Sequence, residues 1–249
     1  MTAVFADEPA GEPGGVQAYD AISEIVFWDI DGTLLSTARA GIGALEDAAS
    51  DVLGVQASFA ELQTAGLTDA EVARLAISTC GGQPDHATIT RFLGSYERAL
   101  PERLHARRGG VMPGVIETLD ALERRPSCLS LLLTGNTPAG ARAKLSHYGL
   151  GGRFAGGGFC DRRWDRTAIA EEARDVAASM VGRPASGLSM VVVGDTPLDV
   201  ACGKAIGART VAVATGSVAA EDLAASDPWV VWERLPVADE FPSLVFDGG

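Results

Sequence analysis

Three short apolar runs, each stopping at a polar turn, restrict this chain to very few folds. Ile25-Val26-Phe27-Trp28 runs into Asp29-Ile30-Asp31-Gly32-Thr33, residues 128–133 end in Thr134-Gly135-Asn136, and residues 190–193 end in Gly194-Asp195. Runs so short and so uniformly apolar, alternating with helical patterns, fit a parallel sheet covered by helices on both faces. Further apolar runs near residues 210–213 and 229–232 extend it. The expected class is α/β: a doubly wound, Rossmann-like parallel sheet carrying an inserted helical segment. In such sheets ligands bind beyond the carboxyl ends of the strands. Asp29, Asp31, Thr134 and Asp195 all stand at such ends, so residues distant in the chain converge on one cleft.

Length sets the domain count. At 249 residues the chain exceeds a typical single domain and falls short of two, so one core with an insertion is expected. No apolar stretch approaches the roughly 20 residues of a membrane span, and the acidic, Gly/Pro-bearing start lacks a basic segment followed by an apolar one. The protein therefore reads as soluble and cytoplasmic. A net charge of -13 works against nucleic-acid binding, which needs a basic face. Cys80, Cys128, Cys160 and Cys202 have no paired spacing, so neither a zinc cluster nor a disulfide framework is indicated.

Residues 1–21 lack periodicity, hold Pro9, Gly11, Pro13, Gly14 and Gly15, and read as a flexible leader. Residues 22–37 and 112–249 carry the strand-helix alternation. Between them, residues 38–111 read as helices: Ile42, Leu45, Ala48, Ala49, Val52 and Leu53 keep helical spacing, as do Val72, Leu75 and Ala76, and a third helix covers residues 87–105. Two acids two residues apart at a strand end lie on the same side, one slightly beyond the other, which suits a nucleophile and its proton-handling partner.

Together the motifs Asp29-Ile30-Asp31-Gly32-Thr33, Leu133-Thr134-Gly135-Asn136 and Gly194-Asp195-Thr196-Pro197-Leu198-Asp199 resemble those of the haloacid dehalogenase-like hydrolase superfamily, over roughly residues 24–235. The resemblance implies an Mg2+-dependent phosphoric monoester hydrolase working through an aspartyl-phosphate. Asp29 would be the nucleophile and Asp31 the acid and base. Asp29, Asp195 and the Asp31 carbonyl would hold magnesium. Gly32, Thr134 and Gly135 would cradle the phosphate, with Thr33, Asn136, Thr196 and Asp199 in support. The partner implied is a small phosphorylated metabolite, with no nucleic acid or membrane, and the protein a monomer or homodimer.

The commonest third motif has a lysine ahead of the fourth. Here Asp165-Arg166-Thr167 stands instead, and Arg166 is the choice for balancing phosphate and Asp29, with Arg162 and Arg163 as competitors. Lysine is nearly absent, only Lys144 and Lys204 occurring. The insert resembles the helical C1-type cap of the phosphoglycolate phosphatase branch, which makes Thr68, Asp69 and Arg74 candidate substrate contacts.

Each motif also has an ordinary explanation. The Asp29 string could be an Asx-rich turn, Thr134-Gly135-Asn136 a plain turn, and Thr196-Pro197 or Thr68-Asp69 a helix N-terminus with its cap. Their joint occurrence at successive strand ends favours chemistry. Asp31 argues against a dehalogenase, and an insert without lysine against a Schiff-base phosphonate hydrolase. A beta-phosphoglucomutase-like phosphotransferase and a non-catalytic binding protein are the alternatives.

Overall fold

The computed structural model describes residues 19–161, 164–237 and 240–247. Of the expected leader, only Tyr19–Ala21 falls among these, as a single 3-10 turn; residues 1–18 lie outside.

β1 (Glu24–Trp28) lies inside a six-stranded sheet, between β4 (Cys128–Leu133) and β6 (Ser189–Gly194). Beyond β4 comes β5 (Gly157–Gly158), and beyond β6 come β7 (Arg209–Val213) and β8 (Val230–Trp232); every pairing is parallel. Trp28 pairs with both Leu132 and Val193. That register ends the three strands level, so Asp29, Thr134 and Asp195 leave the sheet within a residue of one another.

Alternation along β1 explains its uniform apolarity. Val26 and Trp28 join a core with α4 (Val115–Glu123) and α5 (Pro138–His147), where the Trp28 ring stacks on Phe241 at 5.6 Å. Ile25 and Phe27 point the other way, onto α6 (Arg166–Val181) and α7 (Pro197–Ala205). With both faces covered from Ile25 to Trp28, a polar side chain there would be buried and would need a partner, as Glu24 at the strand's start has in Arg125.

The chain leaves this sheet through β2 (Leu35–Ser36) and returns through β3 (Gly110–Val111), which pair antiparallel, Leu35 opposite Val111. Between them stand α1 (Ala40–Leu53), α2 (Asp69–Thr79) and α3 (His86–His105). Leu45, Phe59, Ile77, Phe92 and Leu100 form the centre of a separate apolar cluster there, which also takes in Ile169 of α6. Among the described residues no helix is long and apolar enough to cross a membrane, and the four cysteines are unpaired.

Gly156-Gly157-Gly158 reads as turn or packing glycines, and packing is what the structure gives: Gly157 and Gly158 form an edge strand against Leu132 and Leu133. A Cβ on Gly157 would stand 2.1 Å from the Leu132 carbonyl oxygen, and one on Gly158 would stand 2.4 Å from that of Ile169. Only a strand without side chains fits between β4 and α6.

Candidate active site

The strand ends at Trp28, earlier than the alternation argument assumes, and residues 29–33 form the loop that carries the acids. The Asp29 N–H donates to the Val193 carbonyl at 3.0 Å, which anchors the loop to β6. Gly32 takes a left-handed φ of 87°, and a Cβ there would meet Asp195 Oδ2 at 2.3 Å. The Thr33 hydroxyl donates to Asp195 Oδ1 at 3.0 Å and ties the first motif to the fourth.

Ligand atoms of Asp29, Asp195 and Asp199 all lie within 4.8 Å of one another. Burial raises the Asp29 carboxyl well above its ordinary pKa, and the charge of Asp199 raises it further while Arg166 opposes. Burial likewise pushes Asp195 up to about 7, with Asp199 adding to it. Asp199 is fully engaged: Oδ1 accepts from the Arg166 guanidinium, and Oδ2 accepts from the Thr196 hydroxyl at 2.6 Å and its N–H at 3.1 Å. The residue closes a capping box on α7, with Pro197 in the first turn. Asp195 Oδ2 lies instead in a cradle of two glycines, since a Cβ on Gly216 would reach within 1.7 Å of it. Close-set oxygen donors in a glycine cradle fit a hard divalent cation.

Arg166, the first residue of α6, is buried and lies between the acids, with Nη1 3.7 Å from Asp29 Oδ1 and Nη2 on Asp199. Arg162 and Arg163 lie outside the described residues. Thr134 is fully buried, and its hydroxyl oxygen accepts from the Asn136 side chain at 2.8 Å. Gly135 and Asn136 line the cleft in front of it. A Cβ on Gly135 would press on the Leu67 carbonyl at 2.6 Å, so the helical insert docks directly onto this turn.

The proposed cap contacts divide. Asp69 lines the cleft and accepts from the Thr137 N–H at 2.7 Å, while its own N–H donates to the Gly135 carbonyl, also at 2.7 Å. Burial pushes its carboxyl up to about 6 against the pull of Lys144. Thr68 is not in the cleft: it is fully buried, forms the capping box of α2 with Glu71 and donates to the Trp164 carbonyl at 3.1 Å. Arg74 is exposed on the middle of α2 and is not brought to the cleft either. Helix spacing explains both, because a capping hydroxyl turns back on its own backbone, and residue 74 falls on the face away from the apolar cluster.

The geometry adds residues that the motifs do not contain. Lys144 on α5 is buried, and its ammonium donates to Asp31 Oδ2 and Asn136 Oδ1, each at 2.5 Å. Burial lowers its pKa, but Asp31, Tyr96 and Asp69 outweigh that and raise it above the ordinary lysine value. Thr215 donates to the Gly32 carbonyl at 2.6 Å, and Thr215 and Gly216 line the cleft after β7. Both had a signal in the sequence. Lys144 is one of two lysines, set on the helix after the second motif, and Gly216 follows a further apolar run.

Residues 26–204, well over half the chain, match the family described as haloacid dehalogenase-like hydrolase. The chain belongs to that family. No curated protein matches it. Among solved structures, a hydrolase from Pseudomonas syringae superposes with a TM-score of 0.64 at 19% identity, covering 85% of this chain and 94% of that one. A predicted phosphoglycolate phosphatase from Haemophilus somnus 129pt gives 0.62 at 18% identity, over 86% of this chain and 95% of that one. CbbY from Rhodobacter sphaeroides, as a variant in complex with xylulose-(1,5)bisphosphate, gives 0.67 at 15% identity, over 86% and 95%. At these identities the likeness establishes the fold alone.

Proposed function

We propose that this hydrolase is a magnesium-dependent phosphatase that cleaves a small phosphomonoester through an aspartyl-phosphate on Asp29. The observation that supports this most is the grouping of Asp29, Asp195 and Asp199 within 4.8 Å, with the Arg166 guanidinium between the first and last. Magnesium would be held by Asp29, Asp195 and the Asp31 carbonyl, and when bound it cancels the repulsion between carboxylate and phosphate dianion.

In the first half-reaction an oxygen of Asp29 attacks phosphorus, the bond to the leaving oxygen breaks, and Asp31 gives its proton to that oxygen. In the second, Asp31 takes a proton from water as the water attacks the aspartyl-phosphate, which releases inorganic phosphate and the free Asp29. Arg166 spreads positive charge over the phosphoryl oxygens, and Thr134 and the Gly135 N–H orient them. Residues 38–111 act as a lid over the core of residues 22–37 and 112–249, excluding water and contacting the leaving group. A cavity of about 450 Å³ between the two, where Ile42, Leu45 and Leu62 share the wall with Arg39, Gln63 and Thr64, fits a small leaving group of mixed polarity.

Phosphate release from p-nitrophenyl phosphate and from a panel of metabolite phosphates, with magnesium and with chelator, tests this. Magnesium-dependent release is the expected result. Isomerisation of a sugar phosphate without net release would replace the phosphatase by a phosphotransferase. No turnover of any phosphate would leave the binding-protein alternative.

A further inference from the structure

We infer that Lys144 is a positioning residue for proton transfer: clamped to Asn136, its ammonium fixes the Asp31 carboxyl in the cavity that receives the leaving group. This deepens the phosphatase reading and rests on it.

The geometry separates two cations by task. Arg166 reaches Asp29 and Asp199, on the side of the nucleophile and its acidic neighbours. Lys144 instead bonds Asp31 Oδ2 at 2.5 Å, and Asn136 Nδ2 donates to the same oxygen at 2.9 Å. Asn136 in turn offers its Oδ1 to Lys144 at 2.5 Å, so three side chains close a ring of hydrogen bonds. The ring holds one oxygen of Asp31 from two directions.

That constraint is needed because Asp31 has little else to hold it. Its side chain is 42% exposed, whereas that of Lys144 is 6% exposed. A half-exposed carboxyl in water samples several rotamers, and proton transfer requires one of them. Lys144 itself is held in place: α5 is capped by Thr137, whose N–H also donates to Asp69 of the insert. Tyr96 of α3 lines the same cavity as Lys144, Asp31 and Asn136. The cation that orients the acid is therefore enclosed by the insert and the core together.

In chemical terms Lys144 forms and breaks no bond to substrate. It lowers the cost of placing the Asp31 proton near the leaving oxygen when the bond to phosphorus breaks. The benefit depends on the leaving group. A p-nitrophenolate departs without a proton, whereas an alkoxide needs one.

The test compares kcat/KM for benzyl phosphate and p-nitrophenyl phosphate, two esters of similar size, in the wild type, Lys144→Met, Asp31→Asn and the double variant, all with magnesium. The ratio of benzyl to p-nitrophenyl should fall roughly 10–100-fold in Lys144→Met, part of what a general acid contributes. In the Asp31→Asn background the same change should leave the ratio where it is. Where Lys144→Met does not fold, Lys144→Gln supplies the same comparison. Equal losses on both esters, or a further loss in the Asp31→Asn background, make Lys144 a packing cation and overturn the inference. A wild type that cleaves neither ester overturns the phosphatase reading itself, and this inference with it.

Discussion

At the scale of single residues, the site gathers charges that would be costly apart. Asp29→Asn removes the proposed nucleophile and also a buried negative charge pressed by Asp199, so turnover should fall by at least about 1,000-fold while the melting temperature holds or rises; substantial residual activity would take Asp29 out of its role. Arg166→Ala does the opposite to stability, leaving Asp199 without its buried cation, and should cost on the order of 3–5 kcal/mol together with more activity than Arg162→Ala or Arg163→Ala. Activity assays and denaturant midpoints on the three variants give that ranking. Asp69 provides a pH signature. With its carboxyl pushed up to about 6 by burial, the folded state binds that proton more tightly than the unfolded chain. Its contribution to stability is therefore present in acid and is lost as pH rises from about 4 to about 6. Asp69→Asn should flatten that limb of a stability-pH curve, by an amount on the order of 1–3 kcal/mol; a parallel curve would show that Asp69 is solvated.

At the scale of elements, two devices hold the insert and the edge of the sheet. α2 starts at a capping box whose buried Thr68 hydroxyl also donates to the Trp164 carbonyl. Thr68→Ala should cost about 1 kcal/mol or somewhat more, seen as a lower unfolding midpoint, with kcat/KM reduced less than in any of the acid variants. β5 depends on having no side chains. Gly157→Ala would drive a methyl into the Leu132 carbonyl and should loosen the edge strand, detected as faster amide exchange at Gly157 and Gly158; unchanged exchange would mean that β4 can yield.

At the scale of the whole molecule, one parallel sheet serves as the frame on which the ends of four strands gather at a single cleft. Asp29 follows β1, Gly135 and Asn136 come just beyond β4, Asp195 follows β6, and Thr215 and Gly216 follow β7. A cation held by Asp29, Asp195 and the Asp31 carbonyl would tie the loops after β1 and β6 together and should stabilise the entire fold. Magnesium at 100 times its dissociation constant should add about 2.7 kcal/mol, read as a rise in melting temperature. Asp195→Asn should abolish that rise. A rise of equal size in the variant would place the ion elsewhere.

The sheet and most of the acids were legible in the sequence because both depend on local order. A strand buried on two faces must be largely apolar, and a loop that carries acids must break such a strand. Asp29, Asp31, Thr134 and Asp195 could therefore be read one after another from their positions at strand ends, while Asp199 came only with the family resemblance. Other features depended on approach through space, which no local pattern records. Two glycines became an edge strand because of what packs beside them. Thr68 turned inward to cap a helix and Arg74 faced out, because the insert's own helices set those directions. Lys144 met Asp31 only because α5 lies against the first loop, a neighbour 113 positions away in the chain. The sequence by itself determined which chemical groups stand at the ends of the strands; tertiary packing alone decided which cation each acid would meet.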